Sequence, residues 1–187
     1  MGEAGDCIRG SKGTQLPEMV QDPPIPPIEI RPLRDDEADE AYALAAAVFD
    51  ECVAPLYGDE GRRGFLTFAQ PAALLRRRTD GYVTWVAAEG PRLVGMLHVR
   101  DSSHLSMLFV ERARQGAGIA RQLFETALAR FVLVGPLTVN SSPNAVGFYA
   151  RVGFRATGPE QIKNGIRFVP MRRDFPDATP AARPAGA

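Results

Sequence analysis

Leu105-Ser106-Met107-Leu108-Phe109-Val110-Glu111-Arg112-Ala113-Arg114-Gln115-Gly116-Ala117-Gly118-Ile119-Ala120 is the stretch on which the reading of this chain turns. It opens as an apolar run of strand length, breaks into a glycine-bearing loop, and becomes helical. Ile119, Leu123, Ala127 and Phe131 then fall four residues apart, a stripe suited to packing on a sheet. Gly116 and Gly118 carry no Cβ, so the backbone can turn tightly and aim successive N–H groups at one point. A helix N-terminus adds unpaired donors and a partial positive charge, which favour a bound anion such as a pyrophosphate. A plain tight turn capping a helix would use the same residues. A dinucleotide fingerprint wants a small residue where Arg121 stands, and a P-loop wants a Lys-Ser/Thr pair that is absent.

A second motif follows. Leu137-Thr138-Val139-Asn140 reads as a short buried strand between Gly135-Pro136 and Ser141-Ser142-Pro143. Ser142 can cap the next helix, Pro143 fits its first turn, and Gly153 suits the stop, so a helix is expected from about Pro143 to Arg151. It carries Asn144-Ala145-x-x-Phe148-Tyr149-x-x-x-Gly153-Phe154. Gln115-x-x-Gly118-x-Ala120 resembles the coenzyme A pyrophosphate loop of the GNAT superfamily of N-acetyltransferases. The second motif resembles the signature that follows that loop, and the resemblance spans about residues 28–175.

Composition bounds the alternatives. At 187 residues the chain has length for one domain with an adequate core. Lys plus Arg equals Asp plus Glu at 22 each, so no global field attracts nucleic acid or an acidic membrane surface. Cys7 and Cys52 are the two cysteines, with no metal-site spacing, which points to a reduced, cytoplasmic protein without bound metal. No apolar stretch approaches the ~20 residues that span a bilayer, and no signal-peptide core is present. A monomer or a homodimer is compatible with this pattern.

Residues 1–27 mix glycine, charge and five prolines without an apolar period and are expected to form a disordered arm; 28–175 form the domain, and 176–187 an Ala/Pro tail. Ile28-Glu29-Ile30-Arg31 alternates like an edge strand. Asp35 can cap a helix with a stripe at Ala38, Tyr42, Ala45 and Phe49, and a second helical region after Gly58 is interrupted at Pro71. Tyr82 to Ala88, Leu93 to Arg100 and His104 to Val110 form an antiparallel meander, and Asn164-Gly165 turns a closing hairpin. The class is α/β or α+β, with helices covering a mixed, mostly antiparallel sheet.

The resemblance implies the GNAT fold, whose sheet splays between the strand ending at Val110 and the strand ending at Asn140. It implies acetyl-CoA as co-substrate, an amine acceptor and direct transfer in a ternary complex, the acceptor being a small-molecule amine or a protein amine. A noncatalytic acyl-CoA-binding module is the rival from another class. By the same resemblance the cofactor lies on the backbone of Leu108, Phe109 and Val110, on the loop Gln115, Gly116, Ala117, Gly118, Ile119 and Ala120, and against Phe148. Tyr149 would donate a proton to the departing thiolate, or serve only as a core aromatic. Asn140 and Asn144 could hold the pantetheine arm, or merely cap their turns.

For the base, strict alternation puts His104 on one face with Ser106, Leu108 and Val110, and its ordinary pKa near ~6.5 suits the role; closing a turn is the alternative. His98 reads as structural. Arg76-Arg77-Arg78 reads as a phosphate patch or a solvated helix face. Tyr57, Glu60, Phe65 and Arg167 are candidates for the acceptor pocket.

Overall fold

The computed structural model describes residues 27–130 and 135–175. The expectations for the arm, the tail and Phe131 therefore fall outside it, save for residue 27. Strand β1 (Ile28–Pro32) is followed by helices α1 (Ala38–Cys52), α2 (Asp59–Ala69) and α3 (Pro71–Arg76). The meander β2 (Tyr82–Glu89), β3 (Arg92–Arg100), β4 (His104–Val110) comes next, then α4 (Ile119–Leu128), β5 (Leu137–Ser141) and α5 (Val146–Arg151). Short strands β6 (Arg155–Ala156) and β7 (Gln161–Lys163) lead to β8 (Ile166–Arg173).

These strands form one sheet in the order β1-β2-β3-β4-β5-β8-β6, with β7 also on β8. Every pairing is antiparallel except β4 with β5. That parallel pair has two rungs, His104↔Thr138 and Leu105↔Val139. Beyond them the strands part, so the sheet is a fork that is closed at His104 and open toward Val110 and Ser141.

Two apolar clusters cover the two faces. Leu123, Phe124 and Ala127 of α4 pack with Trp85, Leu97, Val99, Leu105, Val139, Tyr149 and Phe154 on one face. Ala41 and Ala45 of α1, with Leu74 of α3, pack with Val86, Met96 and Met107 on the other. Burial of this kind contributes roughly 1.5–3 kcal/mol per large apolar side chain.

Strict alternation fails inside β4. Met107 pairs with His98 and Leu105 with Val99, which leaves Ser106 as an extra residue, a β-bulge. Leu105 consequently lies in the α4-side cluster with Leu108 and Val110, while Met107 and Phe109 belong to the α1 side. His104, next to Leu105, therefore turns to the face opposite Leu108. This corrects the expectation that it shares a face with Leu108 and Val110.

Two caps also differ from expectation. Ser142 stands at the cap position before the 3-10 turn Pro143–Ala145 but makes no capping bond; its hydroxyl donates to Asn144 Oδ1 at 2.7 Å. A 3-10 turn, Asp35–Glu37, precedes α1. Within it Glu37 rather than Asp35 accepts the Arg34 N–H at 3.0 Å and binds Arg31.

Candidate active site

The open end of the fork is a cavity of about 530 Å³, floored by Leu108, Phe109 and Val110 and walled by the glycine loop, Phe148 and Tyr149. The loop forms because a 3-10 turn, Arg112–Arg114, reverses the chain after β4. Gly116 and Gly118 then adopt φ of +82° and +81°, which a side chain would strain. A Cβ added at Gly116 would meet nothing within 4 Å, and one at Gly118 would meet only Gln122 Nε2 at 4.0 Å. The space above both glycines is therefore open for a ligand, and α4 begins there with no side chain capping its N-terminus.

Gln115 turns inward. Its Nε2 donates to the Val110 carbonyl at 3.0 Å, fixing the loop to the end of β4. The Glu111 N–H donates to Val94 O at 2.9 Å, toward β3. Backbone groups alternate along a strand, so the N–H groups of Leu108 and Val110 face the open edge and that of Phe109 faces β3. Of the three residues expected to offer backbone to a ligand, Leu108 and Val110 are turned that way.

Tyr149 is buried, at 6% exposed, between Phe148 and Phe154 at ring distances of 5.2 and 5.5 Å. It lines the cavity, and among the described residues no hydrogen bond engages its hydroxyl. Burial raises its pKa, so the phenol keeps its proton. Asn144 also lines the cavity, but its Nδ2 donates to the Cys52 carbonyl at 2.7 Å, tying α5's approach to the end of α1. Three arginines border the same space. Arg114 is held by Glu89 and Arg121 by Glu125, whereas Arg151 has no ion pair among the described residues. Their charge suits a polyanionic ligand.

Two predicted site residues are not brought to this cavity. His104 sits at the closed end, its Nδ1 2.8 Å from Thr138 Oγ1, and burial with the nearby Arg100 lowers its pKa. Asn140 is exposed, opposite Pro170 on β8, and does not line the cavity. Of the acceptor candidates, Tyr57, Phe65 and Glu60 lie on the α1–α2 side, and Arg167 is on β8. Phe65 stacks on Phe49 at 3.9 Å and meets Phe109 edge-on at 5.5 Å, and Tyr57 meets Phe49 at 5.5 Å. Glu60 is exposed beside Gly165, and Arg167 binds Glu160 at 2.5 Å. Gly61 abuts the hairpin so closely that an added Cβ would stand 2.5 Å from Gly165 O.

The remaining basic and imidazole groups are structural. Arg77 places its guanidinium 3.7 Å over Phe68, and Arg78 donates to Leu33 O at 2.8 Å. His98 is wholly buried and bonded to Thr84 Oγ1 at 2.9 Å. Cys52, which sequence reasoning passed over, lines the cavity at the end of α1. Among the described residues, no group of three or more His, Cys, Asp or Glu side chains could hold a metal ion, and no helix is long and apolar enough to cross a membrane.

The fold is shared with solved structures. A GCN5-related N-acetyltransferase from Rhodopseudomonas palustris superimposes with a TM-score of 0.66 at 22% identity, over 83% of this chain and 100% of that one. The PaiA N-acetyltransferase from Thermoplasma acidophilum, solved with coenzyme A, gives 0.64 at 16%, over 80% and 99%. Apo YjaB from Escherichia coli gives 0.59 at 26%, over 78% and 96%. In sequence, the peptidyl-lysine N-acetyltransferase YjaB of Escherichia coli K12 is 35% identical over 82 residues, 42% of this chain and 53% of YjaB. The aligned stretch thus spans about half the length of the curated relatives it matches. The acetyltransferase (GNAT) domain model matches residues 53–175, which carry the loop, the fork and Tyr149, and on that match the chain belongs to the GNAT acetyltransferase family, whose members take acetyl-CoA as acetyl donor.

Proposed function

We propose that the chain is an N-acetyltransferase that moves an acetyl group from acetyl-CoA to a primary amine by direct transfer in a ternary complex. The observation that carries this reading is the Tyr149 hydroxyl, buried, protonated and unpartnered among the described residues, in the same cavity as an open glycine loop. The cleft fits the cofactor in three respects: room over two glycines at a helix start, backbone donors on an open strand edge, and bordering arginines. Acetyl-CoA supplies an activated acyl group when bound.

The roles of the chain's own groups follow from their placement. The N–H groups of residues 116–120 and the start of α4 bind phosphate, with Arg151 contributing charge. The N–H groups of Leu108 and Val110 orient the arm and polarise a carbonyl laid along β4. Tyr149 delivers its proton to a departing thiolate. Asn144 positions, through the Cys52 carbonyl, the end of α1 that borders the cleft.

The acceptor enters from the α1 side, where Tyr57, Phe65 and Glu60 stand, with Arg167 on the hairpin that abuts Gly61. A small-molecule amine is the first reading. The peptidyl-lysine activity named for YjaB favours protein lysine as a second. A thiol-release assay with acetyl-CoA, over small amines, polyamines and lysine peptides, tests both; turnover with none of them would leave the binding-module reading in place.

A further inference from the structure

Cys52 spans the mouth of the fork. Its carbonyl accepts from Asn144 Nδ2, on the β5 arm, at 2.7 Å, and its Sγ lies 4.0 Å from Gln115 Nε2, on the β4 arm. The thiol is half-buried, pairs with no other cysteine among the described residues, and lines the cavity. An independent feature marks that cavity as a ligand site. Tyr149, more than nine-tenths buried, presents to it a hydroxyl that no described residue engages. A substituent on Cys52 Sγ would stand between the two arms, in the same cavity that Tyr149 lines.

We infer that Cys52 is a thiol-modification site that gates the cleft, taking a low-molecular-weight disulfide and closing the fork while the adduct persists; the gating rests on the cofactor reading above. In the exchange the Cys52 thiol gives its proton to water and the thiolate attacks one sulfur of the reagent. A Cys52–sulfur bond forms as the reagent's S–S bond breaks, and the second half leaves as a thiolate carrying the electron pair. Excess free thiol reverses the step. Two sources share this chemistry, a simple peptide disulfide such as glutathione disulfide and the disulfide of coenzyme A itself.

The test treats the full 187-residue chain separately with each disulfide and maps adducts by peptide mass, which separates Cys52 from Cys7. Adducts are expected on Cys52. Saturating acetyl-CoA should slow their formation at least tenfold, and the rise in melting temperature given by acetyl-CoA should vanish in the adduct and return with dithiothreitol. A tenfold or greater preference for coenzyme A disulfide identifies the cofactor's disulfide as the source, and equal rates identify small disulfides at large. Cys52 left unmodified, or an adduct that still binds acetyl-CoA normally, overturns the proposal. If the reduced protein shows no shift with acetyl-CoA, the cofactor reading fails and the gating with it, while the mass map still reports whether Cys52 reacts.

Discussion

His104 Nδ1 lies 2.8 Å from Thr138 Oγ1, across one of the two rungs that join β4 to β5. The same hydroxyl reaches the Ser103 carbonyl at 3.2 Å, so the imidazole is part of the vertex from which the fork opens. His104→Gln should therefore leave the pH–rate profile of acetyl transfer unchanged. His104→Ala and Thr138→Val should each cost about 1 kcal/mol in denaturant titration, and less than additively when combined. Loss of an acidic limb in His104→Gln would return the imidazole to the chemistry.

Tyr149→Phe removes one oxygen and keeps the ring between Phe148 and Phe154. Turnover should fall about 100- to 10,000-fold, with acetyl-CoA affinity within a few-fold of the parent. Rapid-quench turnover beside calorimetric binding separates the two. A variant with full turnover would make Tyr149 a packing residue.

Gly118→Val should weaken acetyl-CoA binding at least tenfold, because the branched side chain occupies open space at the start of α4. The φ of +81° adds strain of about 1–2 kcal/mol, so the variant also melts earlier. Gly118→Ala shares most of the strain with a smaller obstruction and should bind more tightly than the valine variant. Equal affinity in all three proteins, measured by calorimetry, would remove the loop from the binding site.

Acid stability should follow the buried imidazoles. Burial with neighbouring Arg77 lowers the pKa of His98 to about 4, whereas the unfolded chain takes up that proton near ~6.5. The unfolded state binds more protons in that window, so stability is complete above pH ~6.5 and lost as pH falls toward 4, on the order of 3 kcal/mol. His104, also lowered, acts with the same sign. The Arg31 hydrogen bond holds Glu37 down to about 2, so its contribution is lost only at more acid pH. Urea midpoints against pH should show a shallower slope between 6.5 and 4 in His98→Gln.

Gly61→Ala should cost roughly 1–3 kcal/mol, since its Cβ would stand 2.5 Å from Gly165 O and α2 must shift off the hairpin. Gly64→Ala, on the same helix with nothing within 4 Å, should instead stabilise by about 1 kcal/mol. Melting temperatures moving in the same direction for both variants would contradict this contact.

The loop, the meander, the Asn164-Gly165 hairpin and the break at Pro71 were all legible in the sequence, because each is set by local chemistry: glycine freedom, period-two alternation, a proline. The face of His104 was not. One unpaired residue, Ser106, inverts the parity of β4, and no residue type announces a bulge in an apolar run. Asn144 was legible as part of a motif, but its partner stands 92 residues earlier, where a cysteine as the last residue of a helix carries no local signal. Asn140 followed its strand correctly and is still exposed outside the cavity, since alternation turns it to the face opposite Leu137 and Val139, which pack in the α4-side cluster.

The parting of β4 from β5 also bears on how the protein keeps. Beyond Leu105, β4 is an edge in the middle of a sheet, with the Leu108 and Val110 N–H groups free to pair with another extended chain. Charge and proline, the usual guards of such an edge, are missing from residues 104–110, and Gln115 blocks one carbonyl at its end. Protection falls to whatever occupies the cleft, so purification and storage without ligand should favour strand-mediated self-association that acetyl-CoA suppresses.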